Sequence, residues 1–293
     1  MNGVVVLDKP AGWTSHDAVS KVRRLANTPK VGHLGTLDPM ATGVLPLVVG
    51  RATRLAQYIS PGRKVYEARV RFGFSTNTYD AEGEPDSEAT PVVLDREQVL
   101  RWLEPFEGLL MQVPPPVSAK KIGGVPAYKL ARQKKPVDLA PAEVTVYQLE
   151  LLECAGDSIR LRVECSPGTY LRSIAHDLGV AAGSGAHLSA LRRLQSSGFE
   201  ASEARTMDEL IALSQAGRFA EAVVPAARLL PEWPSEPVDE ITAQQIRQGR
   251  DFRVSPFRGL QAAKHVKAVD AKGELVAIGE AVLPNVYHPV VVL

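Results

Sequence analysis

The chain has 293 residues, about two domains' worth, and is long enough to bury a full hydrophobic core without disulfide or metal staples. Hydrophobic residues make up 45% and charged residues 23%, which excludes a disordered, collagen-like or coiled-coil chain. The 34 basic and 33 acidic residues nearly cancel, and no apolar run reaches the roughly 18 residues that span a bilayer, so neither a strongly polyionic nor a helical membrane protein is expected.

Gly3 to Leu7 is a short β-branched run that ends in the turn Asp8-Lys9-Pro10-Ala11-Gly12. Beyond Thr14 and Ser15, either of which can cap a helix, Ala18, Val19, Val22, Leu25 and Ala26 keep helical spacing until Asn27–Pro29. Val44 to Val49 is a continuous apolar run of strand length, and Ala52 to Ile59 reads as a short helix. Lys64 to Phe74 alternates, with Val65, Glu67, Arg69 and Arg71 on one face and Tyr66, Ala68, Val70 and Phe72 on the other. Asp95 to Leu103 is an amphipathic helix.

Val113 to Pro141, rich in proline, glycine and lysine, is expected to be an exposed excursion with a short helix at Tyr128–Gln133. Val144–Cys154 and Ser158–Cys165 form a hairpin pattern around Ala155-Gly156-Asp157. Tyr170 to Leu178 is helical, His187 to Phe199 fits helix or strand, and Thr206 opens a helix with a capping box. Pro231 to Pro237, with three prolines, is the best linker, and a domain boundary is placed near Ser235. A short helix (Ile241–Gln248) and strands at Ala263–Val269, Glu274–Val282 and Val286–Val292 follow.

Charge is segregated even though the total is +1. Leu109 to Val137 holds six basic residues and no acid, Ile241 to Lys267 six against Asp251, and Asp80 to Glu97 seven acids against one arginine. A polyanion is therefore a candidate partner, and a merely solvated charge run is the alternative. Cys154 and Cys165 make no disulfide framework and lack zinc-site spacing, so both are read as reduced core residues, although neighbouring strands could bring them face to face. The start of the chain shows no basic, apolar export signal, and a cytoplasmic protein is expected.

The densest motif is Val31-Gly32-His33-Leu34-Gly35-Thr36-Leu37-Asp38-Pro39-Met40-Ala41-Thr42-Gly43, a loop that packs three glycines and a proline around one carboxylate. Asp38 on its own could be a nucleophile, a base, a metal ligand or a turn-stabilising residue.

The stretch GHLGTLDPMATGVLPL resembles the catalytic signature of the TruB family, the bacterial tRNA pseudouridine-55 synthases. DKPAGWTSHD, RKVYEARVRFG, TNTYDAEGE, QVPPPVSAKKIGGVPAYKLARQ, CSPGTYLRSIAHDLG and GAHLSALRRLQSSGF resemble further blocks of that family in its order. The resemblance implies an α+β fold: a mixed, mainly antiparallel catalytic sheet over residues 1–234 and a small C-terminal PUA-like β-barrel over 235–293. It implies isomerisation of uridine to pseudouridine at position 55 in the T loop of tRNA. No cofactor or metal is expected, because one glycosidic bond replaces another without net redox change or hydrolysis, and a monomer is expected.

Residue by residue, the resemblance makes Asp38 the nucleophile, Tyr66 an active-site tyrosine that stacks on the base and takes up the C5 proton, and Arg172 the partner of the aspartate. Tyr170 matches a tyrosine that contacts the flipped uridine, and Leu191 an apolar residue that packs on the pocket. His33 matches a histidine that stacks where the base has left the loop, Lys9 a basic residue near the site, and Asp80 an acid that helps hold the flipped-out part of the T loop. Extruding a base costs about a few kcal/mol, so a group that fills the gap has a physical reason to exist. Lys120, Lys121, Lys129 and Arg132 fall in a thumb-like RNA-binding insertion, about 113–141. Pro167 stands where the family often carries a lysine or another residue.

The sequence leaves two other classes open. A noncatalytic tRNA-binding or folding chaperone could use the same basic surfaces, but gains nothing from a carboxylate in a cleft for polyanions. An N-glycoside hydrolase ordinarily needs two carboxylates flanking the bond, and the motif blocks offer no obvious second one beside Asp38.

Overall fold

The computed structural model describes residues 1–86, 88–118, 139–255 and 263–293, with the backbone of two short strands at 121–122 and 125–126. The first strand, β1 (Gly3–Lys9), leads through the Pro10–Gly12 turn into helix α1 (Ser15–Leu25), which is capped by Thr14 in a reciprocal box with Asp17. β2 (Val31–His33) and β3 (Thr42–Val49) bracket the glycine-rich loop. β4 (Lys64–Phe72), α2 (Arg96–Leu103, capped by Asp95) and β5 (Gly108–Gln112) follow. The strands β6 (Lys121–Ile122) and β7 (Val125–Pro126) pair with each other. Next come the hairpin β8 (Ala142–Ala155) and β9 (Ser158–Cys165), helix α3 (Leu171–Ala182) and β10 (Ala186–Ser196). The segment ends with β11 (Phe199–Glu200), helix α4 (Met207–Gln215, opened by the Thr206–Glu209 box) and β12 (Val223–Pro225).

These strands make one ten-stranded sheet in the order β12-β1-β3-β10-β4-β9-β8-β5, with β2 beside β3 and β11 beside β10. Every pairing is antiparallel except β3 with β10. Thus the mixed, mainly antiparallel α+β expectation holds. The centre of the sheet is covered on both faces, as its unbroken apolar runs require. Val5 and Leu7 of β1 with Leu45, Leu47 and Val49 of β3 pack under α1, and Val4, Val6, Val44 and Val48 point the other way. β4 alternates as expected, burying Tyr66, Ala68, Val70 and Phe72 and exposing Arg69 and Arg71.

The C-terminal part holds a five-stranded sheet in the order β13-β15-β16-β17-β14, with β13 at Ser235–Pro237, β14 at Phe252–Arg253, β15 at His265–Val269, β16 at Leu275–Leu283 and β17 at Val286–Val292. Helix α5 (Glu240–Arg247) packs on it, in keeping with a small PUA-like domain. This sheet shares a core with the first. Leu275, Ile278, Val291 and Leu293 bury themselves in the cluster that holds Val4, Val6, Val44, Val48 and Leu55.

Several local expectations change. The short helix expected at Ala52–Ile59 is a 3-10 segment that starts earlier, at Gly50, and ends at Leu55, with no side-chain cap to start a longer helix. His187–Ser196 is strand, drawn between β3 and β4, and a turn at Ser197–Gly198 brings Phe199 back beside it in β11. The last three residues of the proline-rich linker form β13, parallel to β15. Lys267 ties down both the linker and the stretch before it, its backbone N–H donating to Pro234 O and its ammonium to the carbonyls of Ala227, Leu229 and Leu230. The two cysteines do not face each other: Cys165 is buried opposite Val146 and Cys154 half-buried opposite Ile159, at opposite ends of the hairpin. The expected helix at Tyr128–Gln133 lies outside the described residues.

Candidate active site

The site is built on the loop between β2 and β3, and its backbone is held carbonyl by carbonyl. Arg193 donates from Nη2 to Gly35 O and from Nη1 to Thr36 O, both at 3.1 Å. Ser15 Oγ donates to Leu37 O at 3.0 Å and accepts from Leu37 N at 2.8 Å. Asp38 O accepts from Ala41 N, and Pro39 O accepts from Gly12 N and from the Lys9 ammonium. Five consecutive carbonyls are therefore satisfied by β1, α1, β10 and the loop itself, which leaves the Asp38 backbone little freedom. Leu37, 4% exposed, anchors the loop in the core.

The Asp38 carboxylate meets Arg172 in a two-point pair, Nε to Oδ2 at 2.9 Å and Nη2 to Oδ1 at 3.1 Å. The remaining nitrogen of Arg172, Nη1, donates to Thr78 O (3.2 Å) and Val117 O (2.9 Å) and lies 3.5 Å from Asp80 Oδ2. Arg172 is the second residue of α3. The turn before that helix is clasped by the Gln112 side chain, whose Oε1 accepts from Tyr170 N and whose Nε2 donates to Tyr170 O.

Asp38 and Arg172 line two cavities. The inner one, about 210 Å³, is walled by Thr36, Leu37, Lys64, Tyr66, Gly168, Thr169, Tyr170, Leu171 and Leu191. The outer one, about 610 Å³, carries His16, His33, Thr78, Asp80 and Glu82 on its walls. Burial pushes the Tyr66 phenol up to about 12, so it is neutral at physiological pH, and the Arg193 cation beside it pulls the other way. It can take up a proton only while giving one away. Burial also raises Tyr170. His33 is solvent-exposed at the rim, accepts from Gly35 N on Nδ1, and is held below the usual histidine range by the surrounding protein and then by Arg193. It is a neutral ring suited to stacking.

Asp38, Tyr66, Arg172, Tyr170 and Leu191 are thus brought together around the inner cavity, with His33 at the outer one. Lys9 is not a substrate contact. It is fully buried, and its ammonium donates to Pro10 O, Trp13 O and Pro39 O. Burial lowers its pKa to about 8, yet three accepting carbonyls match the three hydrogens of the charged form. Asp80 is likewise drawn inward, its side chain 5% exposed and its carboxylate engaged by Thr78 Oγ1, Glu82 N and Arg172. It orients Arg172 rather than reaching toward a nucleotide. Lys120, Lys129 and Arg132 lie outside the described residues, as does the side chain of Lys121.

Three participants escaped the sequence reading. Arg193, fully buried, looks in sequence like half of a surface Arg-Arg pair; strand alternation sends Arg192 out to Asp8 and Arg193 in. Lys64 shares the buried face of β4 with Tyr66, a signal legible in the alternation. Glu82 stands beside the outer cavity with its pKa raised by burial and by Asp80, so acids other than Asp38 do approach the site.

Comparison with known proteins follows the same lines. Residues 23–171 match the profile of the TruB family pseudouridylate synthase N-terminal domain, and residues 172–231 that of the tRNA pseudouridylate synthase B C-terminal domain. The tRNA pseudouridine synthase B of Solibacter usitatus (strain Ellin6076) is 60% identical over the full length of both chains. That of Stutzerimonas stutzeri (strain A1501) is 43% identical, covering 96% of this chain and 92% of the other. Among solved structures, an H/ACA RNP bound to a substrate RNA containing 2'-deoxyuridine superposes with a TM-score of 0.68 at 26% identity, over 99% of this chain and 84% of that one. A Cbf5-Nop10-Gar1 complex gives 0.66 at 28%, over 97% and 79%. With a two-point Asp–Arg pair at the mouth of a base-sized cavity and matches of this extent, the chain belongs to the TruB family of pseudouridylate synthases.

Proposed function

We propose that this tRNA pseudouridine synthase isomerises the uridine at position 55 of the T loop, with Asp38 as nucleophile and the target base flipped into the inner cavity. The observation that carries the reading is the Asp38 carboxylate, gripped at both oxygens by Arg172 and bordering a 210 Å³ space walled by Tyr66, Tyr170 and Leu191. A uracil fits a space of that size, with the Tyr66 ring to stack on it and Leu191 to pack against it. Asp38 labilises the C1′–N1 bond, the ring turns within the cavity, and C5 bonds to C1′. Tyr66 relays the C5 proton, with the Arg193 cation close to it. His33, neutral and at the rim, stacks where the base has left the loop.

Residues 1–234 act as the catalytic part, and 235–293 as an RNA-binding part that meets the tRNA away from the T loop. The thumb-like stretch 113–141, with Lys120, Lys121, Lys129 and Arg132, grips phosphates of the T arm, which gives salt-dependent affinity and leaves identity to loop shape. The protein acts as a cytoplasmic monomer. No helix among the described residues is long and apolar enough to cross a membrane.

The test is tritium release from C5-labelled uridine in a T-arm stem-loop, with the product checked for pseudouridine. Wild type releases tritium, and Asp38→Ala abolishes release while RNA affinity stays within a few-fold. Release that survives in Asp38→Ala overturns the nucleophile. Tight binding without release by wild type would favour a noncatalytic RNA-folding role.

A further inference from the structure

Strand alternation sends Lys64 to the same face of β4 as Tyr66, and it lines the inner cavity with Asp38, Tyr66, Tyr170 and Arg172. The other two cations around this space are fully engaged. Arg172 is held by Asp38, Asp80 and two carbonyls, and Arg193 by the carbonyls of Gly35, Thr36 and Val44. The ammonium of Lys64 makes no hydrogen bond or ion pair with any described residue. Its nearest cationic neighbour repels it: a methyl group placed on Gly35 would lie 3.6 Å from Lys64 Nζ and 3.7 Å from Arg193 Nη1. Burial and Arg193 together hold its pKa below the ordinary lysine value. A half-buried charge without a counter-charge is a cost to the resting protein. It becomes favourable when an anion forms beside it, which is the arrangement that stabilises a transition state.

We propose that Lys64 is a further catalytic residue, whose ammonium binds a carbonyl oxygen of the target uracil and stabilises the negative charge the ring acquires as it detaches. The inference rests on the reading of the inner cavity as the uracil site. When the C1′–N1 bond breaks, its electron pair stays on the ring, shared by N1 and the carbonyl oxygens. Meanwhile a carboxylate oxygen of Asp38 either bonds to C1′ or takes the C2′ proton, so one negative charge passes from Asp38 to the ring. Attack of Asp38 at C6 would push a ring electron pair onto O4 with the same result. The charge returns when C5 bonds to C1′ and Asp38 is released or gives back its proton; C5 loses its proton, and N1 gains one. A cation fixed beside the ring serves every one of these routes, and the walls of Tyr66 and Leu191 favour a flat base over a phosphate in this cavity.

The experiment compares full-length wild type, Lys64→Met and Lys64→Arg on a C5-tritiated T-arm stem-loop. It reads single-turnover rate at saturating RNA, affinity against salt, and thermal midpoint. Lys64→Met is expected to slow the rate about 100-fold or more, to leave affinity within about threefold and its salt slope unchanged, and to melt at the same or a higher temperature. Lys64→Arg is expected to recover part of the rate. A rate within threefold of wild type in Lys64→Met overturns the proposal. So does weaker binding with a salt slope reduced by about one and an unchanged rate, the signature of a phosphate contact. A lower melting temperature, or Lys64→Arg as slow as Lys64→Met, also overturns it. If wild type itself makes no pseudouridine in this stem-loop, the reading of the site fails, and that result is seen in the wild-type arm alone.

Discussion

Arg172 presents one edge of its guanidinium to both oxygens of Asp38, at 2.9 and 3.1 Å, and turns its third nitrogen back toward Thr78, Val117 and Asp80. The inward contacts aim the outward edge. Lysine cannot reproduce a planar two-point grip, so Arg172→Lys should lower tritium release about 100-fold with RNA affinity within a few-fold. Arg172→Met also leaves Asp80 buried without its cation, a loss of about 3–5 kcal/mol that urea denaturation would register. Full turnover in Arg172→Lys would show that the grip does not matter.

Lys9 makes stability depend on alkaline pH. Its folded pKa of about 8 lies below the ordinary 10.5, so between those values the unfolded chain holds a proton that the folded chain has lost. Stability contributed by this group therefore rises with pH through about 8 to 10.5 and is flat below it. Urea midpoints at pH 7 and pH 9.5 should diverge in this direction for wild type relative to Lys9→Met. Parallel shifts in the two proteins would contradict the assignment. Lys9→Met should also loosen the Pro39 carbonyl and so reduce turnover.

Gly43 sits at φ +99°, and a Cβ there would lie 2.2 Å from the Arg193 carbonyl. That backbone belongs to the single parallel pairing of the sheet, β3 with β10. Gly43→Ala should cost about 4 kcal/mol or more, seen as a large fall in urea midpoint. Gly12, at φ +79° with nothing within 4 Å of the added carbon, is the control: Gly12→Ala should cost only about 1–2 kcal/mol. Equal losses would mean that backbone strain, not the close approach, is what matters.

Ile278, in β16, is fully buried in the cluster that contains Val4 and Val6 of β1. Ile278→Ala should cost about 2–5 kcal/mol. Because the two sheets share that core, one urea transition should move as a whole, by tryptophan fluorescence and by far-ultraviolet circular dichroism alike. A separate early transition confined to the C-terminal strands would refute the shared core.

Much of this could be read before any coordinates. Glycine, proline and one carboxylate crowded into residues 31–43 marked a loop built to hold a side chain, and alternation over 64–72 put Tyr66 on the inner face. The family blocks then supplied Arg172, Tyr170, Leu191 and His33, and the structure gathers these around the two cavities beside Asp38.

What sequence could not reveal concerns buried charge. Lys9, Arg193 and Asp80 carry the residue types of a solvated surface, and local periodicity tells which face a residue is on, not whether a polar tip on that face will find partners. The partners come from distant segments: Pro39 for Lys9, Gly35, Thr36 and Val44 for Arg193, Arg172 for Asp80. Sequence by itself determined most of the strands and most of the helices, because those depend on backbone sterics and nearest-neighbour hydrogen bonds, while the candidate nucleophile, one of several readings of Asp38 on its own, was named by the family resemblance. Tertiary structure alone decided which cations were taken up by carbonyls and which one, Lys64, was left facing the cavity, because a buried charge is tolerated or not according to oxygens that only folding brings within reach.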